Sequence, residues 1–573
     1  MNRSLNSNIM KPLFTLIFSL FTFLSIHAQT VATDTLKGDE VINNTTSYIN
    51  SNKTIGNTKI WILKGFVYVR AGATLTIEKG ALIKGDKATK GTIIVMRGGK
   101  IIAEGSKAQP IVFTSNQPVG QREAGDWGGI ILLGKAPTNA SFKDANGATV
   151  AGQGTIEGGV NNASNDGLYG GTDADDNSGI LKYVRIEFPG IAFQPNNEIN
   201  GLTFGGVGRG TTIQYVQVSF SGDDSYEWFG GTVDAKYIVA FGGVDDDFDT
   251  DNGFSGRVQF GLGARVPGYS DKTVVNGSTG ASNGFESDNN EGGQYLAPYT
   301  SATFSNMTMI GVTGASQPVG DVFRTGALLR RNTRQSVFNS IMMGWPSFGV
   351  DIDGAPTAPA AIGDTLRFKN NMVASNKQAA DAFTGTPTIT SKEWLTRAAY
   401  SNDSLATDLL TAPYDTTRPN FALPKTGSAA LTGAAFTDTY LNNAYFTQVA
   451  YRGAFGPTNW LEGWASFTPK SNPYLAPITS KIAELDAQVF GAKIYPNPAQ
   501  GVANIEFKVE KAMTMQISLV DMLGREVSST PKQLYTEGVY NTSLNLNNTP
   551  AGLYLVRFIS ENGQKIIQLS IVK

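Results

Sequence analysis

Two acidic segments concentrate the candidate chemistry of this chain: Gly222-Asp223-Asp224-Ser225-Tyr226-Glu227 and Val244-Asp245-Asp246-Asp247-Phe248-Asp249-Thr250-Asp251. Asp223-Asp224 recurs as Asp245-Asp246 at an offset of 22 residues. If one coil of a repetitive fold takes that length, Asp223 stacks over Asp245 and Asp224 over Asp246. Carboxylates so close repel one another unless a cation or a proton is shared. Hard oxygen ligands gathered in a turn suit Ca²⁺, which takes about six to eight oxygens in flexible geometry. Asp223, Asp224, Asp245, Asp246, Asp247 and Asp249 are therefore the candidate Ca²⁺ ligands. Glu286-Ser287-Asp288-Asn289 and Asp351-Ile352-Asp353 are placed to extend the acidic face. The plainer reading is a row of aspartates capping turns through backbone hydrogen bonds, which Asp does routinely.

Other chemistry is sharply restricted. The chain has no Cys, and its sole His, His27, lies in a stretch read below as a signal peptide. The mature protein then has no Ser-His-Asp or Cys-His catalysis, no His general base and none of the usual zinc ligands. An elimination reaction assisted by Ca²⁺ would need an Arg or Lys base, and Arg209, Arg257 and Arg330 are the candidates. A formal charge of −2 gives no basic footprint for nucleic acid.

The elements that must position the acids are short strands. Glycine is abundant, at 65 residues, and supplies the positive φ angles of tight turns. Segments 61–69, 73–80, 91–96, 100–105 and 110–115 are short, β-rich and each followed by a turn signal. The stretch 181–188 is echoed at 213–220 and again at 235–241, and Phe204-Gly205-Gly206 recurs as Phe229-Gly230-Gly231, 25 residues on. Further coil starts at 301–304, 335–338 and 366–369 are followed by Ser305-Asn306, Asn339-Ser340 and Asn370-Asn371. Repeats near 22–25 residues mark a solenoid, whereas a propeller blade takes roughly 40–50.

The texture of 73–115, LTIEKGALIKG followed by GKIIAEGSKAQPIVFTS, resembles the right-handed parallel β-helix family, the fold of pectate lyases and many bacterial surface proteins. That resemblance implies an all-β body over about 400 residues. Gly222-Asp223-Asp224 is also similar to the Gly-Asp-Asp signature of β-helix polygalacturonases, and paired carboxylates are the equipment of glycoside hydrolysis. The chain departs from that family where Asn200-Gly201 replaces its Asn-Thr-Asp element, and its His-Gly element is absent. The stretch 223–260 resembles uncharacterised bacterial surface β-helix proteins.

The ends of the chain speak of export. Arg3 and Lys11 precede an apolar stretch, 13–24, too short to span a bilayer, so residues 1–28 read as a signal peptide cut between Ala28 and Gln29. No later segment is long and apolar enough to predict a transmembrane helix. The body is expected over 29–470, its last part, about 376–470, being an irregular cap with a short helix near 393–399. The aromatics Tyr445, Phe446, Tyr451, Phe455, Trp460, Trp464 and Phe467 are expected to close the open end of the solenoid, where exposed coil edges invite strand addition. A linker at 471–491 leads to a small β-sandwich at 492–573 with alternating strands.

Within that tail, Tyr495-Pro496-Asn497-Pro498, then Gly524-Arg525 after Asp521, then Gly552-Leu553-Tyr554 after Pro550 and a terminal Lys573 resemble the type A sorting domain of type IX secretion in Bacteroidetes. The resemblance implies the secretion machinery as a partner, removal of the tail, and release or attachment to surface lipopolysaccharide. Three functions fit the whole. The chain is expected to be a non-catalytic surface protein binding glycans or other ligands, with a polysaccharide lyase or glycoside hydrolase, or a capture partner of an outer-membrane transporter, as alternatives.

Overall fold

The computed structural model describes residues 31–573 except 44, 195–196, 273, 276–277, 280, 313–318, 382, 384–388, 417–419, 479–488, 510–511, 522–525, 561–562 and 573. The signal residues Ala28 and Gln29, and Gly524 and Arg525 of the tail, lie outside the described residues. The body is a right-handed parallel β-helix of two long sheets, one of seventeen strands and one of twelve among the described residues.

The first sheet begins as two narrow ribbons that fuse at Gly179–Glu187, which pairs with both Lys100–Glu104 and Ile111–Ser115. From there each coil contributes one long strand: Thr212–Ser219, Asp234–Phe241, Arg257–Ala264 and Thr303–Ile310. Inward residues stack in one column, Leu181 on Ile213, Ala235, Val258 and Phe304. All five are fully or almost fully buried, so each coil's apolar surface is covered by its neighbours rather than by its own chain.

Every long strand bends at one left-handed residue. Tyr183, Tyr215, Tyr237 and Phe260 hold φ between 51 and 63°, and Asn306, Asn339 and Asn370 continue the row. Asn takes this conformation readily, whereas an aromatic residue is strained there. Stacking offsets the strain: Tyr183 on Tyr215, Tyr215 on Tyr237 and Tyr237 on Phe260 have centroids 4.4, 4.5 and 5.1 Å apart, all nearly parallel.

The second sheet carries Leu202–Gly205, Tyr226–Phe229, Phe248–Asp251, Phe285–Ser287, Ala327–Leu329 and Phe348–Ile352 in register. The Tyr226 and Phe248 strands pair at an offset of 22 residues, as the repeat required. An insertion between Ala264 and Phe285 lengthens the following coil. A helix at Ala358–Ile362, with Pro359 in its first turn, was not apparent in the sequence pattern. The expected helix occupies Ser391–Leu395 and is closed by a capping box between Thr390 and Glu393.

The region after residue 376 departs from expectation. The open end is covered by Phe383, Trp394 and Tyr400, which pack on one another and on Phe368. The later aromatics do not close that end. The described residues of 406–478 form a strap that runs back along the first sheet toward the N-terminal coils. The main chain of Ala435 exchanges two hydrogen bonds with the Asn339 side chain, that of Thr447 and of Ser466 does the same with Gln259 and Gln217, and the Tyr474 hydroxyl donates to Glu187 at 2.6 Å. Trp464 stands edge-on against Tyr183 and Tyr215. The reason is local: a polar, ring-studded outer face of the first sheet needs covering more than the end already closed by Trp394. The body's contacts also continue past 470 to Ile478, whose N–H donates to the Gly80 carbonyl at 2.8 Å. A side chain at Gly80 would collide with the Ile478 carbonyl oxygen.

The tail, from Val489, is an antiparallel β-sandwich around Phe507, Ile517, Leu519, Val556 and Phe558. No helix among the described residues is long and apolar enough to cross a membrane.

Candidate functional site

The acidic turns lie where each coil passes from the first sheet to the second. Gly222 is required there by close approach, since a side chain would meet the Gly190 carbonyl oxygen of the preceding coil. The register then stacks the turns. The Asp246 N–H donates to Asp224 Oδ1 at 2.8 Å, and the Asn283 N–H donates to Asp246 Oδ1 in the coil after. Turn capping is thus real, but it occupies one oxygen of each carboxylate.

The remaining acids come from the strands that follow. Glu227, Asp249 and Glu286 are direct neighbours across three strands of the second sheet, all on its outer face. Their inward neighbours Tyr226, Trp228, Phe248 and Phe285 form an aromatic core that fixes which way the acids point. Carboxylate oxygens of Asp223, Asp224 and Asp245 lie within 4.8 Å of one another, and so do those of Asp224, Glu227 and Asp249. Asp224 belongs to both triads. Asp224, Asp245 and Asp249 of these triads line a cleft of about 290 Å³, together with Asp246, Asp271, Asn283, Glu286, Arg324 and Arg330.

Such crowding costs ionisation. Burial, then Asp249, Asp223, Asp245 and Asp246, push the Asp224 carboxyl well above its ordinary range. Burial followed by Glu157 raises both Asp223 and Glu227, and burial followed by Glu286 raises Asp249. Asp246 is pushed up to about 7 by burial and by Asp245, with Arg265 opposing. A cluster that holds protons at neutral pH binds a divalent ion by releasing them.

Of the six predicted ligands, Asp224, Asp245, Asp246 and Asp249 line the cleft, and Asp223 meets Asp224 and Asp245 beside it. Asp247 does neither: it is fully buried, 3.5 Å from the equally buried Arg265 Nε, and makes an ion pair behind the site. Arg265 also donates to the Gly243 and Asp245 carbonyl oxygens, so this pair braces the turn that presents Asp245 and Asp246. Glu227 was not among the predicted residues, although Asp-Asp-x-x-Glu at 223–227 and Asp-Asp-x-x-Asp at 245–249 share one spacing. Glu157, Glu198 and Asp271 enter from insertions and carried no such signal.

Each of the three candidate bases is paired with a carboxylate, Arg330 within the cleft and the other two away from it. Arg330 pairs with Glu286 and with Asp288 at 3.0 Å. Burial works against its charge, but Glu286 and Asp288 outweigh that and hold the guanidinium above its ordinary value. Arg257 pairs with Asp234 on the first sheet, and Arg209 with Asp175 at 3.3 Å at the surface.

Residues 47–409, well over half of the chain, match the family model described as pectate-lyase like beta helix domain. The chain belongs to this family. In this pectate-lyase-like β-helix the donor set is entirely hard oxygen, which suits Ca²⁺ rather than a thiophilic ion. Two further oxygens lack a hydrogen bond: Asn283 Oδ1 in the cleft lining, from a residue 1% exposed, and the buried Asp249 Oδ1. Asp223, Asp224, Asp245, Glu227 and Asp249 would hold the ion, so the residues present fit it. Residues 493–573 match the secretion system C-terminal sorting domain. Within it, Asn497 ties the Tyr495-Pro496-Asn497-Pro498 motif to the last strand, accepting from Ser570 N–H at 2.9 Å and donating to the Gln568 carbonyl at 3.0 Å. Tyr554 is buried in the sandwich core while Leu553 beside it is exposed. No curated protein matches the chain. The β-helix protein is therefore exported and is secreted or held at the cell surface, with the secretion machinery as a partner.

Proposed function

We propose that this exported β-helix is a non-catalytic surface binding protein that holds Ca²⁺ in the acidic cleft and engages glycans there. The observation that carries this reading is the pair of carboxylate triads joined through Asp224 at an open cleft. Ca²⁺ accepts more oxygens than one triad supplies, and sugar hydroxyl or carboxylate oxygens suit the remaining positions. Binding is favoured over a lyase because Arg209, Arg257 and Arg330 are each committed to a carboxylate, which leaves none of them as a base. Export begins, on this reading, with cleavage between Ala28 and Gln29, and the mature protein meets lipopolysaccharide, glycans or an outer-membrane transporter at the cell surface.

The test is a glycan array with parallel lyase and hydrolase assays on the mature protein, in millimolar Ca²⁺ and in EDTA. Binding that EDTA removes and Asp249→Asn weakens, without product formation, is the expected result. Release of unsaturated or reducing sugar ends would replace this reading with an enzymatic one. Absence of any Ca²⁺-dependent binding would leave the cleft without this function.

A further inference from the structure

A second cavity, of about 390 Å³, opens on the outer face of the second sheet toward its N-terminal end. It shares that face with the acidic cleft, because Tyr68, Ile94, Ile131, Thr203 and Glu227 are successive partners across the sheet. Its character is quite different. Two of its walls are the rings of Phe66 and Phe193, whose centroids lie 6.3 Å apart at an interplanar angle of 36°. Phe193 is 36% exposed, a large ring left facing solvent. Tyr68 is buried beneath, its hydroxyl donating to the Val160 carbonyl at 2.7 Å and so turned to the covering loop.

The polar groups around these rings restrict the ligand. Lys90 is the one formal charge in the lining, and its Nζ donates to the Ala192 and Phe193 carbonyl oxygens at 2.9 Å each while lying 4.8 Å from the Phe193 ring centre. It holds a left-handed backbone at φ 54°, a conformation a lysine keeps only when its surroundings enforce it. Lys90 therefore positions Phe193 and has one N–H left. The Thr45 hydroxyl donates to Asn43 Oδ1 at 2.9 Å, and that of Thr89 to Asp86 Oδ2 at 2.7 Å. Thr89 Oγ1 also accepts from the Gly65 N–H at 3.0 Å, so with both protons committed Thr45 can only accept from a ligand and Thr89 keeps one lone pair for it. The ligand must bring apolar faces for the rings, hydrogen-bond donors for the two hydroxyls and an acceptor for the remaining Lys90 N–H. A carboxylate or phosphate has no such donors, and a plain aromatic ring has none on its rim.

We propose that this pocket takes a neutral pyranose ring, stacked on Phe193 and Phe66, without a metal. It shares the glycan class with the reading above but none of its residues, so either can fail alone. Saturation-transfer NMR on the mature protein in EDTA, with the methyl glycosides of glucose, galactose, mannose and N-acetylglucosamine and with p-cresol as an aromatic control, tests it. At least one glycoside should receive saturation at its ring protons. Phe193→Ala should weaken that binding at least tenfold, and Phe193→Trp should preserve it. Phe193 lies at the surface, so the variant's unchanged melting temperature shows that the fold survives. No transfer to any of the four glycosides, transfer untouched by Phe193→Ala, or transfer to p-cresol alone overturns the proposal.

Discussion

Asp246 and Asp247 are adjacent, yet one faces the cleft and the other an arginine in the interior, and their substitutions should differ accordingly. Asp247→Asn leaves Arg265 buried without its counter-charge and should destabilise by about 3–5 kcal/mol in denaturant titrations. Asp245→Asn should instead reduce the difference in melting temperature between millimolar Ca²⁺ and EDTA, while Asp34→Asn, paired with Lys59 at the surface, should not. Saturating the site at a hundred times Kd is worth about 2.7 kcal/mol. Coincident melting curves with and without EDTA would remove the metal. In EDTA the carboxyls also give a pH dependence with a definite sign. Burial raises Asp246 to about 7 and Asp251 to about 8, so the folded state holds protons that the unfolded chain releases near pH 4. Their contribution is complete below about pH 4 and is lost as pH rises through 7 to 8, and the melting temperature should fall over that range. Ca²⁺ should flatten the decline. The stacked Asp pairs were legible because their 22-residue offset equals a coil. The inward turn of Asp247 was not, because its partner Arg265 comes from the end of the next long strand.

At the scale of elements the strap joins coils that otherwise touch only their neighbours. Trp464 is almost fully buried against the tyrosine row, so Trp464→Ala should cost about 3–5 kcal/mol. Asn339→Ala removes both bonds to Ala435 and should raise hydrogen exchange along 430–454 more than in the sheet strands beneath. Equal exchange in strap and sheet would show that the strap is not a separate unit. The aromatic residues of 445–467 announced burial but not its place. A ring cluster states that a face is to be covered. The partner faces, Gln217 and Gln259 within strands and Asn339 just after one, carry an outward polarity that reads as solvent exposure until the strap is seen. The Asn row at 306, 339 and 370 was visible as a repeated motif, and its left-handed bends give it a physical meaning.

For the whole molecule, deleting 493–573 should leave the β-helix melting as before, since its core clusters share no residue with that of the sandwich. The truncated protein should be missing from the cell surface in fractionation, and mass spectrometry of the intact surface form should find Gln29 at its N-terminus. A surface form still ending at Lys573 would contradict tail removal. Fold and export were legible because the solenoid repeat and the tail motifs are written locally, residue by residue, whereas the 390 Å³ pocket is assembled from 45–46, 66–68, 88–90, 159–162 and 193, which no local pattern connects. The strap has one more consequence, a mechanical one. It leaves the strand Asp403–Leu405, which is paired on Met372–Ala374, and is last fastened at Gly80, near the opposite end of the rod. Whatever tethers the chain beyond residue 478 therefore grips the rod by its N-terminal coils, and drag on the rod loads the strap's bonds together in shear instead of peeling the coils apart one at a time.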